Sequence, residues 1–242
     1  MAGFTGAPPI VTDGLVFAVD AANYESYPGS GTTWYDLSGN GNNGTLTNGV
    51  TFNSTDKTMG FDGSNDYVTI YNPISNNNNA WTPGGTVGSS ILCYEIWVNT
   101  TDTNGRLISK PWNGSGNYNI SIYPNVFTLR VDSSSTINLP AFNDGAWHQL
   151  IVWANSTTMG YYFDGLSNQS SVVHYIDSDT PTNGNTVLPL GIMTLYFYGS
   201  GWAGNTGHAL SGDISIFRKY NRILSPQEVL QNYNALKGRF NL

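Results

Sequence analysis

Only three glutamates occur in the 242 residues, Glu25, Glu95 and Glu228, and their settings limit the acid–base chemistry open to the chain. Hydrolysis of a glycosidic bond needs two carboxyl groups flanking the scissile bond. On a strand, such a pair shares a face when its members stand two or four residues apart. Glu95 is followed by Ile96, Trp97 and Val98, with no carboxylate at that spacing. Glu25 falls in a loop, and Glu228 sits three residues after Ser225 at a helix start. No Gly-x-Ser-x-Gly elbow or phosphate-cradling glycine loop offers another route. His148, His174 and His208 are too far apart for metal-type spacing, and His148 beside Trp147 reads as a strand residue with a satisfied hydrogen bond. The expectation is a chain that is not an enzyme.

Binding chemistry is better represented. A sugar site needs flat aromatic faces beside amides or carboxylates. Trp112-Asn113-Gly114-Ser115-Gly116-Asn117-Tyr118 and Gly201-Trp202-Ala203-Gly204-Asn205 each hold a tryptophan in a Gly/Asn loop, a poor place for a core residue. Trp112, Asn113, Tyr118, Trp202 and Asn205 are therefore the candidate glycan contacts. Two other readings use the same residues: a loop tryptophan tucked over a sheet edge, and a contact with another subunit.

Composition removes several partner classes. Charged residues make up 10%, against about 25% in a typical globular protein. Hydrophobic residues at 39% and aromatics at 13% still provide for a core. A net charge of −7 and a pI near 4.6 argue against nucleic acid and against an anionic membrane surface. The single cysteine, Cys93, excludes an internal disulfide and reads as a buried strand thiol. No apolar stretch reaches the length of a membrane span. The first residues lack the basic and apolar segments of a signal peptide, so synthesis in a cytosol is expected.

The elements that must position these residues are mostly strands. Residues 1–12 read as an extended arm, and 13–242 as one domain. Residues 15–20 form a first strand apolar enough to be covered on both faces. Residues 59–70 read as two strands around an Asp-Gly-Ser-Asn turn, a local hairpin signal. Tyr94, Ile96 and Val98 alternate with Glu95, Trp97 and Asn99. Short strands follow over 106–110, 118–123, 127–131, 172–175, 188–192 and 195–198, and 147–154 pairs with 159–165. Residues 72–90, rich in Asn, Pro and Gly, read as a long loop. The final strand leads to the one clear helix, about 226–237. Ser225 as N-cap, Pro226 at the first position and Glu228 at the third form a capping box with proline at N1. Leu224 and Val229 occupy the staple positions. Val229, Leu230, Tyr233 and Leu236 are expected on one face, with Gly238 as the stop. Many short strands separated by turns predict an all-β, two-sheet antiparallel sandwich with one short C-terminal helix.

Several segments carry a family resemblance. Gly212-Asp213-Ile214-Ser215-Ile216-Phe217-Arg218-Lys219-Tyr220-Asn221-Arg222, followed by Leu224-Ser225-Pro226-Gln227-Glu228-Val229, resembles the closing strand and helix of the laminin G-like, concanavalin A-like jelly rolls. Phe61-Asp62-Gly63, Asp66-Tyr67-Val68, and the Trp147-His148 and Phe163-Asp164-Gly165 segments are also similar to that family. The entry from Leu15 to Gly44 and the run Gln231 to Phe240 resemble its phage and environmental viral members. The resemblance implies a jelly roll serving adhesion or assembly as a virion surface or structural protein, such as a phage decoration, fibre or receptor-binding component. It would be made in a host cytoplasm and would act within an oligomer or larger assembly, with glycans or other virion proteins as partners. The alternative is an extracellular lectin-like carbohydrate-binding module. Jelly rolls of this class often carry a structural calcium ion held by carboxylates and carbonyls. Asp20, ending the first strand, and Asp213, opening the last, are the expected ligands; the competing reading is that both cap local turns.

Overall fold

The computed structural model describes residues 8–71, 91–110, 119–124, 126–131, 133–155, 158–166, 172–173, 187–190 and 209–242. Strands dominate: β1 (Leu15–Asp20), β2 (Thr33–Trp34), β3 (Gly44–Thr47), β4 (Thr51–Asn53), β5 (Thr58–Asp62), β6 (Tyr67–Tyr71), β7 (Leu92–Thr100) and β8 (Ile108–Lys110) in the first half. They continue as β9 (Asn119–Tyr123), β10 (Val126–Val131), β11 (Ser133–Asn138), β12 (Trp147–Ala154), β13 (Thr158–Phe163), β14 (Val172–Val173), β15 (Val187–Leu190) and β16 (Ser211–Tyr220). The helix α1 (Pro226–Leu236) and a 3-10 turn (Lys237–Phe240) close the chain.

The strands form two antiparallel sheets, as a jelly-roll sandwich requires. One has the order β14-β13-β12-β7-β16-β5-β4, with β1 also paired to β16; the other runs β11-β10-β9-β8-β15-β6-β3-β2. The ten-residue β16 is the axis of the first sheet. Its first half pairs with β5 and its second half with β1, while β7 runs along its other side. Between the sheets lies a core that includes Phe17, Tyr94, Ile96, Val98, Leu150, Val152 and Phe217 from the first and Trp34, Val68, Ile70, Ile108 and Ile122 from the second. The expected pairing of 147–154 with 159–165 is present, from Leu150 opposite Phe163 to Ala154 opposite Met159. β2, β3, β4 and β11 were not anticipated. The expected strand over 195–198 lies outside the described residues.

Two local expectations fail for tertiary reasons. Residues 59–70 are not a hairpin. β5 pairs with β16 and β4 in one sheet, and β6 pairs with β3 and β15 in the other, so the Gly63–Asp66 connection arches across the sandwich. The same Asp-Gly turn chemistry serves either connection, and burial of the two flanking strands in different layers decides between them. Residues 8–12 are likewise no free arm. Val11 is buried in a second apolar cluster with Cys93, Ile151, Trp153, Tyr162, Tyr220, Leu224 and Val229.

The helix forms as its caps dictate. The Ser225 side chain accepts from the Glu228 backbone, and Glu228 reaches back to the Ser225 backbone N–H at 2.8 Å. Leu224 and Val229 are both buried. The inward face, however, is Val229, Asn232, Tyr233 and Leu236, at the i, i+3, i+4, i+7 spacing. Leu230 turns outward and is 45% exposed. Nor does Gly238 stop the chain: it continues as the 3-10 turn, and the left-handed residue is Asn241, with φ 60°.

Candidate functional site

Glu95 lies on β7, where period-two alternation sends Tyr94, Ile96 and Val98 into the inter-sheet core. Cys93, Glu95 and Trp97 therefore face the opposite side, which α1 and the 3-10 turn cover. There Glu95 is fully buried. Its Oε1 accepts from Gln149 Nε2 (2.9 Å), Arg218 Nη1 (3.1 Å) and Trp97 Nε1 (3.2 Å). Its Oε2 accepts from Asn232 Nδ2 (2.8 Å) and Tyr220 OH (3.4 Å). Trp97 stacks between Tyr233 and Phe240, at centroid distances of 5.9 and 4.5 Å. A buried carboxyl group is tolerated only when its oxygens find partners, and here both do. The one strand glutamate thus ties the helix to the sheet and has no route to a substrate.

The other acidic and basic groups near this face have similar duties. Arg222 donates to both Glu228 oxygens at 2.6 and 2.9 Å, and this holds the Glu228 carboxyl well down, at about 2. Burial pushes the Cys93 thiol up to about 12, as expected of an unreactive strand thiol. His148 stands between two carboxylates, with Nδ1 2.8 Å from Asp164 and Nε2 3.2 Å from Asp144. The hydrogen bond to Asp164, above all, raises its pKa.

Asp20 and Asp213, the expected calcium ligands, each have protein partners in this structure. β1 and β16 are neighbours as expected, but Asp20 opposes Ile216 while Asp213 opposes Gly60 and Asn99. Asp20 Oδ1 accepts from Arg239 Nη1 (2.6 Å) and the Ala22 N–H (2.9 Å), whereas Asp213 Oδ1 accepts from Thr58 Oγ1 (2.8 Å). The guanidinium of Arg239, which also contacts Ser215 and the Lys57 carbonyl, already supplies the positive charge a cation would bring. Among the described residues, no group of three or more His, Cys, Asp or Glu could hold a metal.

The glycan-contact candidates Trp112, Asn113, Tyr118, Trp202 and Asn205 lie outside the described residues. Two aromatic residues that sequence reasoning passed over are instead exposed on the described surface. Tyr24 is 73% and Tyr35 44% exposed, with Leu37 beside them in sequence at 37%. Their loops are stapled together: the Tyr35 N–H donates to the Ser26 carbonyl (2.7 Å), and Ser26 Oγ donates to the Tyr35 carbonyl (2.7 Å). Asp36 anchors the next loop by accepting from Ala18 N, Ser38 N, Ser38 Oγ and Asn42 N. Nothing in sequence spacing distinguishes these tyrosines from Tyr27, which is buried against Phe52 at 4.9 Å.

Comparison with known proteins agrees with this architecture. Domain 4 of AbnA, an extracellular arabinanase from Geobacillus stearothermophilus solved with arabinotriose, matches at 16% identity and TM-score 0.60, covering 90% of this chain and 98% of that one. A botulinum neurotoxin type C structure, described by its interaction with two ganglioside molecules, matches at 14% identity and TM-score 0.63. The binding domain of botulinum neurotoxin DC, in complex with SialylT, matches at 13% identity and TM-score 0.62. In both, 93% of this chain is covered, and it spans about half (52%) of the toxin chain. At such identities the likeness is one of fold. No curated protein sequence matches. The model of the concanavalin A-like lectin/glucanases superfamily matches residues 62–230, from the inter-sheet arch to the middle of α1. With that match running through both sheets and into the capped helix that Glu95 secures, the chain belongs to the concanavalin A-like lectin/glucanases superfamily.

Proposed function

We propose that this protein is a non-catalytic, lectin-like domain that recognises glycans. The observation that carries the reading is the placement of Glu95: the one strand glutamate is committed to the helix-to-sheet junction, and among the described residues no carboxylate hydrogen-bonds or pairs with it to complete a hydrolytic pair. The whole-length likeness to an arabinanase domain solved with arabinotriose supports it. The low-charge, Asn-rich composition suits neutral sugars better than phosphates. The test is glycan-array binding of the purified protein, with calcium and with chelator. Binding of a defined glycan class supports the reading, and loss in Trp112→Ala or Trp202→Ala would place the site in those loops. Binding abolished by chelator would show that a bound cation takes part, with Asp20 and Asp213 the first residues to substitute. Silence from a folded sample in both conditions would sink it.

A second reading places this domain on a virion surface, as a decoration, fibre or receptor-binding component. The resemblance of residues 15–44 and 231–240 to viral members of the family favours it. It predicts co-purification with virus particles and assembly into defined oligomers; a strictly monomeric protein absent from particles would rule it out.

A further inference from the structure

We infer that Tyr24 and Tyr35 form a preformed aromatic platform for a neutral saccharide; the inference rests on the glycan-binding reading. Tyr24 and Tyr35 are the large aromatic residues left exposed among the described residues. A tyrosine in water presents a wide apolar face that gains little from solvent, and such faces concentrate at binding sites. Both belong to one stapled unit. Ser26 is fully buried and joins three segments: its Oγ accepts from the Asp20 N–H (3.1 Å) and donates to the Tyr35 carbonyl, and its own carbonyl accepts from the Tyr35 N–H. The turn beneath Tyr24 is closed by donation from the Ser26 and Tyr27 N–H groups to the Asn23 carbonyl, at 2.9 and 2.8 Å. Tyr27 pins the intervening loop by donating from its hydroxyl to the Gly31 carbonyl (2.9 Å) while its ring packs on Phe52.

The contrast within this unit is informative. The same short stretch buries Tyr27 and leaves Tyr24 and Tyr35 outside, on backbone that is already ordered. Ordering a contact surface before binding removes an entropic cost the ligand would otherwise meet. The rings can take the C–H face of a pyranose or furanose. The polar rim next to them in sequence is Asn23, Glu25, Ser30 and Thr32, which offers amide, carboxylate and hydroxyl partners, and the two cations near this unit are already engaged, Arg239 with Asp20 and Lys57 over the Phe52 ring. That set fits a neutral sugar and disfavours a phosphorylated, sulfated or sialylated one.

The test takes the glycan class that scores on the array and titrates its free oligosaccharide against wild type, Tyr24→Ala, Tyr35→Ala and the two Phe variants. Loss of one stacking contact should weaken binding roughly tenfold in each Ala variant, whereas Phe, which keeps the ring face, should stay within about threefold of wild type. Circular dichroism and melting temperature confirm that each variant is folded. Affinity unchanged in both folded Ala variants overturns the platform while leaving glycan recognition intact. A Phe variant as weak as its Ala counterpart overturns stacking as the mode of contact, and preference for anionic over neutral glycans overturns the ligand class. Silence across the array overturns the glycan reading and this inference with it.

Discussion

Glu95 and Arg218 face each other directly across β7 and β16, with Oε1 and Nη1 3.1 Å apart and both side chains buried. Charged residues at this depth persist only when their partners are complete, and Gln149, Trp97, Tyr220 and Asn232 complete them. A polar cluster therefore sits inside an otherwise apolar helix-to-sheet interface and sets the register of one against the other.

Glu95→Ala should lower unfolding free energy by about 3–5 kcal/mol, because it leaves Arg218 buried and unpaired. Urea denaturation measures this directly. Any glycan affinity should survive in the fraction that remains folded; lost affinity at unchanged stability would instead place Glu95 in a binding or catalytic role.

Asn232 joins the two chain ends to this cluster. Its Oδ1 accepts from the Val11 N–H (2.8 Å) while its Nδ2 donates to Glu95 and to Tyr220 OH (3.0 Å). Asn232→Leu should cost about 1–3 kcal/mol for stranding the Val11 donor. Hydrogen exchange should show early opening of residues 10–12, ahead of the sheet. Uniform destabilisation with no local opening would argue against the coupling.

The His148 environment predicts a pH dependence of definite sign. Its pKa is raised by Asp164 and Asp144, so the stabilisation is fully present below the ordinary imidazole value of about 6.5 and is lost as pH rises through the raised value. The melting-temperature gap between wild type and His148→Gln should be widest below that value and narrow on the alkaline side. Glu228 acts in the opposite direction. Its contribution is present above its ordinary value of 4.5 and is lost as pH falls toward about 2. Glu228→Gln should therefore destabilise at neutral pH and matter little near pH 2.

Gly160 opposes Trp153 across β12 and β13, and a Cβ there would lie 2.4 Å from the indole ring. Gly160→Ala should force the indole aside at a cost of about 1–3 kcal/mol, with a shift in tryptophan emission. An unchanged spectrum and melting temperature would show that the ring has room to move.

The sequence by itself determined what depends on near neighbours. The Ser225–Pro226–Glu228 cap set the helix start because its hydrogen bonds close within three residues. Alternation along 93–98 sorted Tyr94, Ile96 and Val98 from Glu95 and Trp97 because a strand repeats every two. The ordered motifs identified the family, and a single cysteine leaves no partner for an internal disulfide. Only the tertiary structure decided what lies opposite each surface. Glu95 meets Arg218 and Asn232 across 123 and 137 residues, so nothing local marks it as buried. Asp62 and Tyr67 flank turn chemistry common to hairpins and arches, and long-range pairing with Ser211 and Thr47 sends them to different sheets. Leu230, expected inside, turns outward, and Asn232 is buried instead because its amide meets the Val11 N–H, Glu95 and Tyr220, partners that are remote in sequence or on another element. Tyr24, Tyr27 and Tyr35 are alike in composition and differ in exposure because, among the described residues, Tyr27 is the one of the three that packs on an apolar ring, Phe52.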